Sequence, residues 1–181
     1  DRSRLEIMDK FASHAIEFTE VVTSAPSTVM SISAMMTGIH SFVLGTNYND
    51  FRFNVILKAR QLGISTITAA YCVWFMLFHK EKNIVVLATK FSTAANLVKK
   101  VKSIMKHLPD WMKVAQISVD NRTSFELSNG SIIKAVPTSE DAGRSEALSL
   151  LVVDEAAHIE KMTEIWTAVY STLATGGRCI A

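Results

Sequence analysis

The chain has 181 residues, 49% of them hydrophobic, only three prolines, and a formal net charge of +2. That is enough for one domain with a sizeable core, and it excludes disordered, collagen-like and low-complexity classes. A charge so close to neutrality also excludes nucleic-acid binding by bulk basicity and leaves room only for a local patch.

From the N-terminus, Leu5, Met8, Phe11, Ala15, Phe18 and Val22 recur at three- and four-residue steps, which predicts an amphipathic helix over 4–22. A second helix is predicted over 27–44, followed by a turn at 45–50. Residues 1–50 therefore read as a helical N-terminal segment and 51–181 as a core. In the core the grammar changes. Residues 53–59 (FNVILKA) are a short β-rich run, QLG is a loop, and 65–80 is an apolar helix. Residues 82–89 (KNIVVLAT) form a fully apolar strand. Ser92 or Thr93 can cap a helix that runs to about Leu108, is stopped by Pro109, and carries Leu97, Val101, Ile104 and Leu108 as its buried stripe.

Further on, 123–137 alternates around Asn129-Gly130 and predicts a hairpin whose turn uses positive φ. Residues 149–157 (SLLVVDEAA) are a buried strand ending in two acids. A helix with a glycine stop is predicted over 161–177, and 178–181 opens a last strand. Apolar strands alternating with helices imply an α/β fold: a mainly parallel sheet covered on both faces, with the hairpin as an antiparallel addition. Such sheets bind ligands beyond the carboxyl ends of their strands.

The loop at 58–65 and the acids at 154–155 both fall at such ends. The loop approximates the phosphate-binding pattern G-x-x-x-x-G-K-[ST]. Gly63 and Ser65 fit it, but Lys58 stands in place of the first glycine and Ile64 in place of the lysine. A triphosphate needs backbone N–H donors, a positive side chain and a magnesium ligand. The segment Lys58, Arg60, Gln61, Leu62, Gly63, Ile64, Ser65 and Thr66 can supply all three. Its donors sit at a helix N-terminus, Arg60 or Lys58 supplies charge, and Ser65 offers a hydroxyl to Mg²⁺ with Thr66 beside it.

In LLVVDEAAH, Asp154 stands at the tip of a buried strand, where it can hold the Mg²⁺ water shell. Glu155 is placed to polarise an attacking water. The plainer alternatives are a strand–loop–helix without a ligand and two acids that cap the next helix.

Other residues carry two readings each. Arg144 is either an arginine finger acting on a neighbouring subunit's ATP or a loop arginine paired with Asp141 or Glu146. Lys99, Lys100, Lys102 and Lys106 surround one helix as a solvated face rather than a DNA contact. Thr89-Lys90-Phe91-Ser92 follows a strand tip and either touches a nucleic-acid backbone or merely caps a helix. His158 is a surface or supporting residue. Trp74, Phe75 and Phe78 belong to the core.

Cys72 and Cys179 lie in apolar stretches and read as buried thiols of a reducing compartment. The five histidines, His14, His40, His79, His107 and His158, show no metal-ligand spacing. The longest apolar run, 67–78, is shorter than the about 20 residues of a membrane helix. No signal peptide is visible, so the protein is expected not to be secreted, and a start at Asp1 suggests a trimmed polypeptide.

Taken together, KARQLGIST, NIVVLATKFSTAANLVKKVKSIM, FELSNGSIIKAVP, AGRSEALSLLVVDEAAHI and GGRCIA resemble the ATPase domain of the large terminase subunits of tailed bacteriophages. The resemblance covers 53–181. It implies an additional-strand, RecA-like P-loop NTPase core that hydrolyses ATP with Mg²⁺. It also implies a variant Walker A segment whose early basic residue, here Arg60, is functional. Asp154 becomes the Walker B magnesium residue, Glu155 the catalytic carboxylate, and Arg144 an arginine acting across subunits. The implied partners are double-stranded DNA, a portal protein, a small terminase subunit and further copies in a ring on the capsid, in the host cytoplasm.

The sequence departs from the family pattern in three ways. The glutamine that reads adenine upstream of Walker A has no counterpart, since the only glutamines are Gln61 and Gln116. The Ser- and Met-rich segment 24–45 is not placed by the resemblance. The sequence also stops at GGRCIA, before the coupling motif and the nuclease domain, so weak ATPase activity and no DNA cleavage are expected of these residues alone. A helicase-like remodelling ATPase and an inert P-loop-like interaction module are the alternative readings.

Overall fold

The computed structural model describes residues 52–56, 63–138, 147–173 and 176–181. Both predicted N-terminal helices lie outside the described residues, as do Lys58, Arg60, Gln61, Leu62 and Arg144.

Among the described residues, one seven-stranded sheet runs in the order β1-β7-β6-β2-β5-β4-β3. Its strands are β1 (Phe53–Asn54), β2 (Asn83–Ala88), β3 (Ile117–Asn121), β4 (Ser124–Leu127), β5 (Ile132–Ala135), β6 (Leu150–Asp154) and β7 (Arg178–Ile180). From β1 through β7, β6 and β2 to β5 every pairing is parallel, and β5-β4-β3 continues as an antiparallel meander. The expected mainly parallel sheet is present. So is the additional strand, because β7 lies between the strand that leads to the phosphate-loop segment and the strand that ends in the acids.

Side-chain alternation explains why both faces are covered. Along β2, Ile84, Val86 and Ala88 join one core, while Val85 and Leu87 join the other. β6 divides in the same way, with Leu150 and Val152 on one face and Leu151 and Val153 on the other. The first face is covered by α1 (Ile64–Phe78) and α2 (Phe91–His107), the second by α3 (Met162–Tyr170). Each large aliphatic side chain buried this way contributes about 1.5–3 kcal/mol. Among the described residues, no helix is long and apolar enough to cross a membrane. Cys72 and Cys179 are buried free thiols, and burial pushes each up to about 12, so neither is poised as a thiolate.

Several local expectations are corrected. α2 begins one residue before Ser92, at Phe91. Its N-cap is Lys90, with no side-chain hydrogen bond, so neither Ser92 nor Thr93 caps it. In the hairpin, Leu127 and Ser131 flank a three-residue loop and only Gly130 takes positive φ, 80°. A three-residue hairpin loop needs one left-handed residue, not the two of a two-residue turn. The helix predicted over 161–177 ends at Tyr170 and tightens into a 3₁₀ turn at Ser171–Leu173. There the hydroxyls of Ser171 and Thr172 donate to the Ala168 and Val169 carbonyls, competing with helical backbone bonds.

β3 is an unanticipated strand, and it changes the role of Lys102. The Lys102 side chain is 12% exposed and lies 2.6 Å from Asp120 Oδ1, so it is not part of a solvated lysine face. It also donates to the Asn121 carbonyl and sits over the Phe125 ring. Lys99, Lys100 and Lys106 remain exposed.

Asn129 ties the hairpin turn to the end of α1. Its Nδ2 donates to the carbonyls of Met76 at 2.7 Å and His79 at 3.3 Å, and Ser131 Oγ donates to the His79 carbonyl at 3.0 Å. These bonds satisfy carbonyls that a helix C-terminus leaves without partners.

Candidate active site

The site lies at the carboxyl ends of the parallel strands. Gly63 is the N-cap of α1 with φ 74°, a left-handed conformation that a side chain disfavours; its carbonyl accepts from the Thr66 and Ile67 N–H groups. This turn aims the N-terminus of α1, with its unshared N–H donors and positive dipole end, along the same edge as β6. Four buried apolar residues, Leu150 to Val153, carry Asp154 to the tip of β6, where it is half-buried.

The two halves meet directly. Ser65 Oγ donates to Asp154 Oδ2 at 3.3 Å, across 89 residues of sequence. Ser65, Asp154 and Glu155 line a cavity of ≈ 360 Å³, together with Thr68, Val152 and His158. A cavity of this order suits a small ligand.

The residues also fit a magnesium-bound phosphate. Two oxygens on adjacent corners around one Mg²⁺ stand roughly 3 Å apart, close to the Ser65–Asp154 separation. Thr66 Oγ1 is buried and has no hydrogen-bond partner among the described residues. Leaving such a hydroxyl unpaired costs about 1–3 kcal/mol. A phosphate oxygen seated on the α1 N-terminus would offer it an acceptor.

Glu155 is exposed and left-handed, with φ 57° and ψ 39°. Such a conformation costs a non-glycine residue roughly 1–2 kcal/mol. Its Oε2 accepts from Thr89 Oγ1 at 3.3 Å. Sequence reading missed Thr89 as a partner of the acids. The available signal was that Thr89 follows β2 directly, as Glu155 follows β6, and the ladder pairs Ala88 with Asp154. His158 is exposed on the cavity wall, its N–H bonded to the Glu155 carbonyl. Phe75 and Phe78 are core residues, and Trp74 packs against that core partly buried.

Gly63, Ile64, Ser65 and Thr66 are thus brought to one edge with Asp154 and Glu155, while Lys58, Arg60, Gln61, Leu62 and Arg144 lie outside the described residues. Comparison with known proteins adds an independent finding. Residues 33–176 match the family model described as "Terminase large subunit, ATPase domain", so the match begins upstream of the 53–181 resemblance and takes in residues 33–45, for which the sequence reading had no counterpart.

Three solved structures share the fold. The large terminase ATPase domain of Thermus phage P74-26 is 18% identical with a TM-score of 0.53, over 71% of this chain and 57% of that one. The large terminase of a thermophilic bacteriophage, solved in complex with ADP, is 12% identical with a TM-score of 0.61, over 78% of this chain and 37% of that one. The large terminase of bacteriophage HK97 is 14% identical with a TM-score of 0.61, over 79% of this chain and 32% of that one. The chain therefore spans between about a third and just over half of the structures it matches.

Proposed function

The chain belongs to the family of terminase large subunit ATPase domains, and from that premise we propose that it hydrolyses ATP to drive double-stranded DNA into a viral capsid. The observation that carries the catalytic half is the contact between Ser65 at the start of α1 and Asp154 at the tip of β6, 3.3 Å apart. It joins a helix N-terminus suited to phosphate with an acid suited to a metal.

In this reading the loop of Lys58, Arg60, Gln61, Leu62, Gly63, Ile64, Ser65 and Thr66 wraps the phosphates. Its N–H groups donate to phosphate oxygens, and Arg60 or Lys58 balances their charge in place of the usual P-loop lysine. Ser65 and Asp154 would hold Mg²⁺, which when bound neutralises the charge that develops on the phosphates. Glu155 orients a water and accepts its proton as the γ-phosphate is transferred. Arg144 acts on the ATP of a neighbouring copy in a ring. The DNA substrate, a portal protein, a small terminase subunit and a working place at the capsid portal in the host cytoplasm all follow from the family reading, as does an absence of nuclease chemistry in these residues.

Binding and turnover of Mg-ATP by the wild type, Arg60→Ala and Glu155→Gln test this. The expected result is that Glu155→Gln binds nucleotide but fails to turn it over, while Arg60→Ala binds weakly. Equal, negligible binding by all three would favour an inert P-loop-like module.

A further inference from the structure

Within the ATPase reading on which this inference rests, the usual P-loop lysine is missing. Ile64 stands in its place and lines the cavity with an apolar side chain. Among the described residues of the cavity wall, the side chains that can hydrogen-bond are Ser65, Thr68, Asp154, Glu155 and His158. Ser65 and Thr68 carry hydroxyls, and Asp154 and Glu155 are acceptors when ionised. His158 alone offers a nitrogen donor, and an imidazole keeps at least one N–H in either protonation state.

The turn that carries His158 sets its position. Its backbone N–H bonds the Glu155 carbonyl at 2.9 Å, and the Ile159 N–H bonds the Ala156 carbonyl at 3.2 Å. Ile159 is buried in the core of the second sheet face, and Ala156 packs against that core. The turn is thus pinned on both sides of an exposed His158. The other described histidines are committed to their own helices. Nδ1 of His79 donates to the Phe75 carbonyl at 3.2 Å, and Nδ1 of His107 to the Ser103 carbonyl at 2.7 Å. The His158 ring has no hydrogen-bond partner among the described residues.

We propose that His158 donates a ring N–H to the terminal phosphate of ATP, and to the inorganic phosphate that hydrolysis leaves in the cavity. Its neighbours on the wall fit that place, since Ser65 and Asp154 suit the metal and Glu155 the attacking water. A donor here offsets the repulsion that two carboxylates exert on an incoming phosphate. ADP lacks the terminal phosphate and does not use the contact, so His158 separates ATP and inorganic phosphate from ADP.

The test is equilibrium binding of Mg-ATP and Mg-ADP, with inhibition of ATP turnover by added inorganic phosphate, for the intact wild-type protein, His158→Leu and His158→Gln. His158→Leu keeps bulk and removes the donor, while His158→Gln keeps an N–H at similar reach. His158→Leu is expected to lose affinity for Mg-ATP and inorganic phosphate about ten-fold or more while binding Mg-ADP as wild type does. His158→Gln is expected to recover most of that loss. Equal affinities for Mg-ATP in wild type and His158→Leu overturn the proposal. So does a His158→Leu variant that loses Mg-ATP and Mg-ADP affinity alike, which marks a structural role, or a His158→Gln variant no better than His158→Leu. A wild type that binds neither nucleotide overturns the ATPase reading and the contact with it. A wild type that binds and turns over ATP beside an unaffected His158→Leu overturns the contact alone.

Discussion

Ser65 and Asp154 touch through a single 3.3 Å hydrogen bond that spans 89 residues of chain. Each arrives from a different strand–turn unit, so neither can hold this position unless the sheet between them is assembled. The contact therefore reports both the fold and the chemistry.

Removing either side of that contact should disable metal-dependent turnover. Ser65→Ala and Asp154→Asn are expected to lower ATPase activity by at least 10–100-fold, the range seen when groups that orient a bound metal are lost. Magnesium titration of ATP hydrolysis checks this. The half-saturating concentration should rise in both variants, and more in Asp154→Asn, which removes a charge.

Glu155→Gln preserves size and hydrogen-bonding reach but cannot accept a proton. A fall of about 10²–10⁴-fold in kcat is expected from loss of a positioned general base. Nucleotide affinity, followed by equilibrium titration, should stay near wild type. A parallel loss of binding would place Glu155 in substrate binding instead.

The Asn129 side chain donates to the last carbonyls of α1 and accepts from the Ser131 N–H at 3.0 Å. Asn129→Ala strands those carbonyls against a half-buried turn. It should destabilise the protein by about 1–3 kcal/mol, measured as a lower midpoint in urea denaturation. Ser131→Ala removes the bond to the His79 carbonyl and also takes the acceptor from the Lys82 N–H, so it should cost a similar amount.

Asp120 is an acid whose stabilising role depends on pH. Its pKa is lowered from the ordinary 3.8, chiefly by the hydrogen bond from Lys102, opposed by desolvation and further favoured by the charges of Lys102 and Lys106. A depressed folded-state value means that the carboxylate form favours folding. Its contribution is full above the ordinary value of 3.8 and is lost as pH falls through the lowered one. Urea midpoints of wild type and Asp120→Asn, compared from neutral pH down to about pH 2, should therefore converge at the acid end. Raising the salt concentration at neutral pH should narrow the gap as well, because Asp120 is exposed.

Those features also show where local sequence pattern carries three-dimensional information. β2 and β6 were legible because continuous apolar runs of strand length belong to a parallel sheet with two covered faces. The buried stripe of α2, Leu97, Val101, Ile104 and Leu108, followed from its spacing, and all four are buried. Ser65 and Asp154 could be named because each closes a recognisable strand–turn unit.

β3 was not legible. It is an outer strand with four of its five residues exposed, and the alternation of Ile117 and Val119 with Ser118 and Asp120 is too short to stand out. Lys102 was misread for the same reason, since its partner Asp120 belongs to that strand. Thr89 escaped because a hydroxyl after a strand is locally indistinguishable from a turn residue. Only the parallel pairing of Ala88 with Asp154 brings it beside Glu155.

The position of β7 bears on synthesis. Among the described residues it follows every other strand in sequence, yet it wedges between β1 and β6. A chain emerging from the ribosome can zip β2, β5 and the meander together early, but β1 must wait for residues 178–180 before it has a neighbour. The edge on which Ser65 and Asp154 meet is therefore completed by a strand that lies far downstream of β1 in the sequence.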